Sequence, residues 1–213
     1  MRSSTALTNT TNIVLTGVGG QGVLTLAELL AKAALEDSMN VRVGEIHGMA
    51  QRGGHVVCTV RIGPQVFGSI VDPGAADVLV GFEPVETLRE VNLMKPSGWV
   101  IMNSHTVNPV AVSMGKAQYP SPEIVRQSIH KFTDNLLEFD AGELARAAGS
   151  TASLNIVMMG AVIGTGTVPV SEASALKCVL AAFPERFSEA NTTAFRLGHQ
   201  HARSIIAPSR SNA

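Results

Sequence analysis

The sequence has little charge and two cysteines, and each shortage excludes a class of function. Charged residues make up 15% of the 213 residues and the formal net charge is -1, so no excess of positive charge attracts a nucleic acid. Cys58 and Cys178 are too few to hold a structural zinc ion or an iron–sulfur cluster within one chain. They do not suggest a secreted disulfide scaffold either. The low charge predicts a chain that buries surface against a partner protein.

The sequence also lacks a segment typical of secretion or membrane insertion. Residues 1–11 contain no basic start followed by an apolar stretch, so we expect a flexible N-terminus there and a cytoplasmic protein. The uncharged stretch Ala147–Ser171 has the length to span a membrane. Polar residues crowd both of its ends, however, and Ile156–Ile163 is its one continuously apolar part apart from Gly160. It predicts a helix buried in a protein core.

Apolar segments alternate between strand-like and helix-like spacing, which predicts a single α/β domain over residues 12–206 and a frayed tail over 207–213. Strands are predicted at Asn12–Thr16, Val41–Glu45, His55–Ile62, Asp77–Phe82, Gly98–Asn103 and Leu136–Asp140. Helices are predicted at Gln21–Glu36, Pro84–Val91, Pro122–Phe132, Ala141–Ala148, Leu154–Ile163, Ser171–Ala182 and Glu185–Arg203. Val66–Val71 is predicted to return beside the third strand as an antiparallel hairpin. The strands without polar alternation predict a mainly parallel central sheet.

A glycine-rich turn follows the first strand and opens the first helix. Gly17, Gly19 and Gly22 satisfy the G-x-G-x-x-G pattern, with Gly20 and Gln21 between them. In this context the pattern predicts a Rossmann-like layered fold, in which backbone N–H groups and the helix N-terminus meet a phosphate or another anion. Gly19, Gly20 and Gly22 could instead serve only to permit close packing of the helix on the sheet. Both interpretations stay open at this point.

Dinucleotide binding requires a further acidic residue at the end of the second strand, roughly 20 residues after the glycines. Glu36 and Asp37 have this distance but lie at the end of the first predicted helix. Glu45 has the strand position but comes late in the chain. A stand-alone protein that binds NAD or a flavin is therefore an alternative that the pattern does not favour.

A second glycine-rich loop, Gly44–Gly54, leaves the end of the second predicted strand. If the first and second strands are neighbours, both loops open on the edge of the sheet where ligands and partners bind. Arg52 can bind a phosphate or carboxylate with two hydrogen bonds, and Gln51 can both donate and accept. Gly53 and Gly54 allow another backbone to come close. Together, Gln51–Gly54 and the glycine turn are the predicted binding residues.

Other polar residues carry weaker indications. His47 could titrate near neutral pH and transfer a proton, but we favour a structural role in which its ring is hydrogen-bonded to carbonyl groups of the loop. His199 and His201 are two residues apart on a predicted helix, where side chains diverge, so they do not indicate a metal site. Cys58 lies in an apolar strand and is predicted to be a small core residue. Asn155 is either a helix cap or a polar contact at an interface.

The two glycine loops together resemble those of the gamma-type subunits of 2-oxoacid:acceptor (ferredoxin) oxidoreductases. The resemblance covers Thr16–Leu35 (TGVGGQGVLTLAELLAKAAL) and Val41–Gly63 (VRVGEIHGMAQRGGHVVCTVRIG). Ser188–Gly198 (SEANTTAFRLG) also resembles the family's closing segment. Within this family, His47–Gly54 is most similar to the pattern of the indolepyruvate ferredoxin oxidoreductase beta subunit. Ala50 and His55 stand where serine is expected.

The resemblance implies a multi-subunit enzyme that decarboxylates an arylpyruvate on thiamine diphosphate, passes electrons through iron–sulfur clusters to ferredoxin and forms an acyl-coenzyme A. The Gly-Asp-Gly signature for thiamine and the cluster cysteines are absent from this sequence. We therefore expect no catalytic residue in this chain alone and the cofactors in a larger partner subunit. Ferredoxin would be an indirect partner, and the isolated chain could form a homodimer.

By this resemblance, the chain would complete the active-site region of the larger subunit and help to seat coenzyme A. The Gly17–Gly22 turn and Arg52 would meet a phosphate or the backbone of the partner. A third interpretation keeps the chain as a purely structural assembly subunit, whose glycine turns serve packing.

Overall fold

One six-stranded sheet runs through the structure, a computed structural model that describes residues 10–47 and 53–209. In chain order its strands are β1 (Thr11–Val18), β2 (Val41–His47), β3 (His55–Ile62), β4 (Ala76–Gly81), β5 (Met94–Asn103) and β6 (Asn135–Phe139). Their spatial order is β2-β3-β1-β4-β5-β6. Neighbours from β1 to β6 are parallel, whereas β3 is antiparallel to both β1 and β2. The predicted α/β fold, mainly parallel with one antiparallel hairpin, is confirmed.

The hairpin consists of β2 and β3, and the predicted pairing of β3 with Val66–Val71 is wrong. Both edges of β3 are already hydrogen-bonded to β1 and β2, so a further strand has no free edge to join. Residues 66–71 instead cross the face of β3 as a strap. The Thr59 hydroxyl donates to the Ser69 carbonyl at 2.7 Å, and Arg61 Nη1 donates to the Gly68 carbonyl at 3.1 Å.

The described residues form eight α-helices on the two faces of the sheet. They are α1 (Val23–Glu36), α2 (Pro84–Glu90), α3 (Val110–Ser113), α4 (Pro122–Ile129), α5 (Ala141–Ala147), α6 (Leu154–Gly164), α7 (Glu172–Ala182) and α8 (Ser188–Ser209). Several begin at a side-chain cap, as at Ser121, Asp140 and Ser171, whose oxygens accept a backbone N–H of the first turn. Helix α8 begins three residues later than predicted because Glu185–Phe187 forms a 3-10 turn.

The larger core lies on the face that carries α1 and α5–α8, and α6 is its central element. Every residue of α6 after Leu154 is buried, which confirms the predicted buried helix. Helix α8 crosses it at glycines: a Cβ at Gly160 would lie 2.0 Å from the Phe195 carbonyl oxygen, and one at Gly198 would lie 2.0 Å from the Val157 carbonyl oxygen. Within the described residues, no helix combines the length and apolarity needed to cross a bilayer.

A smaller core lies on the opposite face, beneath α2 and α4. It contains Val14 of β1, Leu79 of β4, Met102 of β5 and Ile129 of α4. Since β1, β4, β5 and β6 are parallel, their carboxyl ends share one edge of the sheet, where ligands bind in folds of this type.

Candidate functional site

The two glycine-rich segments meet at the edge of the sheet where β1 ends and β3 begins. Val18 pairs with His55 in the antiparallel register, and the Gly19 N–H donates to the Gly54 carbonyl at 2.8 Å. The predicted convergence of the loops was conditional on β1 and β2 being neighbours, and this condition is not met because β3 lies between them. Both loops still open at one edge, since β1 and β2 each run antiparallel to β3.

We call Gly17–Gly22 together with Gly53–Gly54 the glycine rim. The predicted binding residues Gln51 and Arg52 lie outside the described residues, as does the side chain of His47. Their contacts therefore stay predictions. The described part of the rim consists of backbone and of the Val18 and Gln21 side chains.

Gln21 fastens the first turn to the end of β4. Its Oε1 accepts the Val18 N–H at 2.8 Å, and its Nε2 donates to the Phe82 carbonyl at 3.3 Å. Gly17 is needed at this point for space, since a Cβ there would lie 2.8 Å from both Gln21 Oε1 and the Phe82 Cβ. The Gln21 side chain thus supports the turn from within, and Gly17 is the glycine of this turn that close packing against Gln21 and Phe82 requires.

Gly20 and Gly53 differ from Gly17 because the space outside them is open. Both are exposed and have positive φ angles, +101° and +76°. No described atom lies within 4 Å of a Cβ built at either position. Because glycine has no side chain, both residues can adopt a left-handed backbone conformation. The outer surface of the rim is also left accessible to another molecule.

The amino end of α1 lies directly behind this open surface. Gly22 is the N-cap residue, with φ +91°, and no side chain among the described residues caps the helix. The first N–H groups of a helix have no intrahelical partner, and the helix dipole adds about half a positive charge there. A Cβ at Gly22 would lie 3.0 Å from the Asn155 Cβ and 3.1 Å from its Nδ2. The first N–H groups of α1 thus lie behind the open surface of the rim, which suits an anion.

Asn155 is the buried polar side chain at this point. Its relative exposure is 8%, and its Oδ1 has no hydrogen-bond partner among the described residues. The alternative that Asn155 caps a helix is wrong, because the N-cap of α6 is Ser153. Asn155 instead lies in the first turn of α6, against the amino end of α1.

The acidic residues considered for a ribose are engaged elsewhere. Asp37 accepts the Ser171 N–H at 2.7 Å and the Ser174 hydroxyl at 2.5 Å, and so it joins α1 to the start of α7. Burial opposes ionisation of Asp37, but these hydrogen bonds outweigh it and lower its pKa. Glu36 pairs with Lys177. Because β3 also separates β1 from the strand that carries Glu45, the arrangement does not favour dinucleotide binding.

His55, where the resemblance predicts serine, links the second loop to α2. Its Nδ1 contacts the Glu86 carboxylate, and its Nε2 lies 2.9 Å from Glu90 Oε1. Glu86 is nearly buried and is also 3.3 Å from Arg89 Nε. The residue that follows the second loop is thus held on both sides by carboxylates of one helix.

Sequence reasoning missed the carboxylate of Glu83, which is 1% exposed and follows β4. It accepts hydrogen bonds from the Glu86 N–H at 2.9 Å, from the Val107 N–H at 3.3 Å and from the Tyr119 hydroxyl. Burial, and next the neighbouring Glu83 carboxylate, raise the pKa of the Tyr119 phenol. Glu83 before Pro84 was a usable signal, since a helix often begins with a capping residue and then proline.

A cavity of about 190 Å³ opens at the same edge, beyond β4. Its wall includes Met102, Ser104 and Tyr119, together with Arg126. Arg126 is held by Glu138, with Nε at 2.6 Å and Nη2 at 3.2 Å from the carboxylate oxygens. The cavity lies in a part of the chain where no sequence motif drew attention.

The remaining candidates occupy structural positions. Cys58 is fully buried in β3, as predicted, and burial raises the pKa of its thiol to about 12. His199 Nε2 lies 3.5 Å from Glu172 Oε2, and the His201 ring packs on Phe139 with ring centres 4.8 Å apart. The described residues contain no group of three or more His, Cys, Asp or Glu placed to hold a metal ion.

Three comparisons identify the relatives of this chain. Residues 12–201 match the pyruvate ferredoxin/flavodoxin oxidoreductase family. The chain is 44% identical over 196 residues to the indolepyruvate oxidoreductase subunit IorB of Pyrococcus horikoshii, which covers 92% of this chain and 97% of that protein.

Solved structures share the fold. Pyruvate oxidoreductase subunit PORC from Thermotoga maritima is 23% identical with a TM-score of 0.70, covering 91% of this chain and 97% of that one. A chain of 2-oxoglutarate:ferredoxin oxidoreductase from Magnetococcus marinus, with 2-oxoglutarate, coenzyme A and succinyl-CoA bound, has a TM-score of 0.70 at 17% identity. The alignment covers 92% of this chain and 32% of that one. From the match over residues 12–201 and the 44% identity, the chain belongs to the pyruvate ferredoxin/flavodoxin oxidoreductase family.

Proposed function

We propose that this chain is the accessory, gamma-type subunit of a thiamine-diphosphate-dependent 2-oxoacid:ferredoxin oxidoreductase. Its substrate would be indolepyruvate or another arylpyruvate, and the products would be an acyl-coenzyme A, carbon dioxide and reduced ferredoxin. Family membership and the similarity to an indolepyruvate oxidoreductase subunit support this assignment. The observation that carries the role of this subunit is the open glycine rim, where two loops join through the Gly19–Gly54 hydrogen bond.

The residues of this chain do not fit the redox cofactors, so we place those cofactors in a larger partner subunit. A cluster needs several accessible thiolates, whereas the chain has two cysteines. Cys58 is fully buried and its thiol is held protonated by a pKa of about 12, raised mainly by burial. The sequence also lacks the Gly-Asp-Gly signature for thiamine diphosphate. Electron transfer to ferredoxin would then pass through the partner.

Exposed apolar side chains support an extensive contact with such a partner. Phe67 and Ile70 of the strap are 88% and 79% exposed, and Ile46 near the end of β2 is 69% exposed. Apolar and aromatic side chains of this kind are enriched in the buried centre of protein interfaces. Ile46 pairs with Val57 near the start of β3 at the rim, and the strap lies farther along β3, against Thr59.

At the rim, the chain would bind a ligand or a partner and would take no part in making or breaking covalent bonds. The amino end of α1 offers N–H donors and a positive dipole, and Gly20 and Gly53 allow close approach. These features suit the backbone of the partner or a phosphate of coenzyme A. Gln51 and Arg52 would add side-chain donors to the same surface.

Two glycine variants that introduce a similar backbone strain test this role. Gly20→Ala and Gly74→Ala both place a side chain at positive φ, +101° and +75°, without any described atom within 4 Å. The strain is about 1 kcal/mol in each. Gly74 precedes β4 and therefore lies at the edge opposite the rim. Each variant is coexpressed with the thiamine- and cluster-bearing subunit, and copurification and arylpyruvate-dependent ferredoxin reduction are measured.

We expect G20A to lose about tenfold or more in assembly or turnover, equivalent to about 1.4 kcal/mol, and G74A to behave as the unmodified chain. Equal behaviour of the two variants would contradict a binding role of the rim and favour the structural alternative. Failure of the unmodified chain to copurify with such a subunit, combined with NAD or flavin binding by the isolated chain, would overturn the proposal.

A further inference from the structure

We propose that the cavity lined by residues of β5, β6, α2 and α4 binds a small, uncharged aromatic molecule that carries one O–H or N–H donor, as phenol does. The cavity measures about 190 Å³. The inference goes beyond the proposed function, because it concerns this chain alone and requires neither a redox cofactor nor a partner subunit.

The cavity lies where two parallel strands end. Met102 pairs with Glu138 in the register of β5 and β6, and each stands next to the last residue of its strand. Pro84 and Pro122 are the first residues of α2 and α4. Ligands bind at the carboxyl ends of the strands in folds of this type. An apolar cavity of about 150 Å³ in another protein holds benzene, so this cavity accommodates an aromatic ring with a small substituent.

Most of the wall is apolar and fixed in place. Met102 and Val125 are 1% and 2% exposed and belong to the smaller core of the sheet. The rings of Pro84, Pro120 and Pro122 complete the apolar surface, and a proline ring cannot turn away as a long side chain can. A preformed apolar wall of this kind favours a flat, rigid ligand. The methionine sulfur also makes favourable contacts with aromatic rings.

The main donors of the wall are already engaged. Arg126 Nε and Nη2 donate to the Glu138 carboxylate at 2.6 Å and 3.2 Å, and Arg126 Nη1 lies 3.7 Å from Glu123 Oε1. The Tyr119 hydroxyl donates to Glu83. The wall therefore offers few donors to a ligand that brings acceptors only.

Acceptors, in contrast, are available to a ligand. Glu138 contributes a carboxylate to the wall, and Ser104 and Thr106 contribute hydroxyl groups. A carboxylate or hydroxyl oxygen can accept more than one hydrogen bond, so the bonds from Arg126 leave capacity at Glu138. One O–H or N–H group of the ligand would donate to these oxygens while its ring packs on the apolar wall.

The charges at the cavity disfavour an ionised ligand. Arg126 is the one cation among the described residues of the wall, and it lies between the carboxylates of Glu138 and Glu123. The buried Glu83 carboxylate lies beyond the Tyr119 hydroxyl. Together these carboxylates repel an anion such as an aromatic acid. A cation would lose its hydration against the apolar wall. An uncharged aromatic ring fits both conditions.

Tyr119, the one tyrosine of the chain, lies in the wall and reports binding directly. The full chain, labelled at tyrosine and at methionine methyl groups, is titrated by NMR with phenol, anisole, cyclohexanol and benzoate. Anisole lacks the donor of phenol, cyclohexanol lacks the aromatic ring, and benzoate carries a negative charge. We expect phenol to shift the Tyr119 ring and Met102 methyl resonances. Each of the other three compounds should bind more weakly by about tenfold or more.

Two variants close the cavity. Val125→Phe fills it from α4, and Ile124→Phe is the matched control, because Ile124 is the neighbouring residue, is 53% exposed and lies outside the wall. Thr106→Phe narrows the cavity from an exposed position, so it tests the site even if circular dichroism shows that V125F does not fold. We expect V125F and T106F to bind phenol more weakly by about tenfold or more and I124F to bind it as the unmodified chain does.

Unshifted Tyr119 and Met102 resonances with phenol would overturn the inference. So would equal binding of anisole or cyclohexanol, tighter binding of benzoate, or unchanged phenol binding by T106F. The outcome is separate from that of the proposed function. Phenol binding would stand if the chain failed to assemble with an oxidoreductase subunit, and its absence would leave the assembly experiment unaffected.

Discussion

Replacement of Glu83 by alanine tests how the edge of the sheet beside the glycine rim is held together. The buried carboxylate accepts the Glu86 N–H at 2.9 Å, the Val107 N–H at 3.3 Å and the Tyr119 hydroxyl. One side chain thus caps α2 and anchors two points of the segment between β5 and α4. E83A removes the cap and leaves the Val107 amide and the Tyr119 hydroxyl without this acceptor.

The expected loss of stability in E83A follows from these three contacts. Loss of an N-cap costs about 1 kcal/mol, and a hydrogen bond to a charged group contributes about 1.5–3 kcal/mol. The Val107 bond is long, and Tyr119 is half-buried and can bind water instead, so we count about one full charged bond for the pair. The free energy of unfolding should fall by about 2.5–4 kcal/mol, a large part of the about 5–15 kcal/mol typical of a domain.

Urea unfolding followed by circular dichroism measures this change. Tyr119→Phe is the matched control, because it removes one donor and leaves the cap intact; it should cost about 1 kcal/mol. Hydrogen exchange at the Val107 amide should accelerate in E83A more than in Y119F. A loss below about 1 kcal/mol in E83A would refute the reasoning, since the cap alone would account for it.

Three further predictions concern the core and its titratable groups. Gly160→Ala should lower the free energy of unfolding by about 3 kcal/mol or more in urea titrations, because its Cβ would lie 2.0 Å from the Phe195 carbonyl oxygen; an unchanged midpoint would show that α6 and α8 can separate freely. Burial lowers the pKa of His201 from its ordinary 6.5. Its contribution to stability is therefore complete above pH 6.5 and is lost as the pH falls toward the folded-state pKa, and His201→Phe should flatten the decline of unfolding temperature in that range. Cys58, with its pKa raised by burial to about 12, should resist iodoacetamide at pH 8 until the chain is unfolded in urea; rapid labelling of the native chain, located by mass spectrometry, would contradict its buried position.

The resemblance in the two glycine loops indicated the family directly from the sequence, and the comparisons confirm it. Local patterns also predicted the strands and most helix positions, because the period of apolar residues depends on neighbours within a few positions. The apolar run Ile156–Ile163 predicted a buried helix, and α6 is buried along that run. Chain order alone did not reveal that β3 would separate β1 from β2, since strand pairing depends on contacts that are distant in sequence.

In the candidate site, too, some features of single residues could be predicted from the sequence and others depended on the tertiary structure. The glycines of the first turn were visible as a motif, but their separate roles were not. Gly17 is confined by Phe82, and Gly20 faces open space, a difference that depends on which strand lies alongside. Asp37 had the spacing of a ribose ligand, yet it binds Ser171, the cap of a helix that begins more than 130 residues later.

By itself, the sequence determined the secondary structure, the family and the presence of two glycine loops, because these depend on local composition and spacing. The tertiary structure decided which groups those loops meet. Gly54 reaches Gly19 through the pairing of β1 with β3, and Asn155 reaches Gly22 because α6 packs beside α1. Such contacts arise from the close packing of elements distant along the chain, and no periodicity along the sequence encodes them.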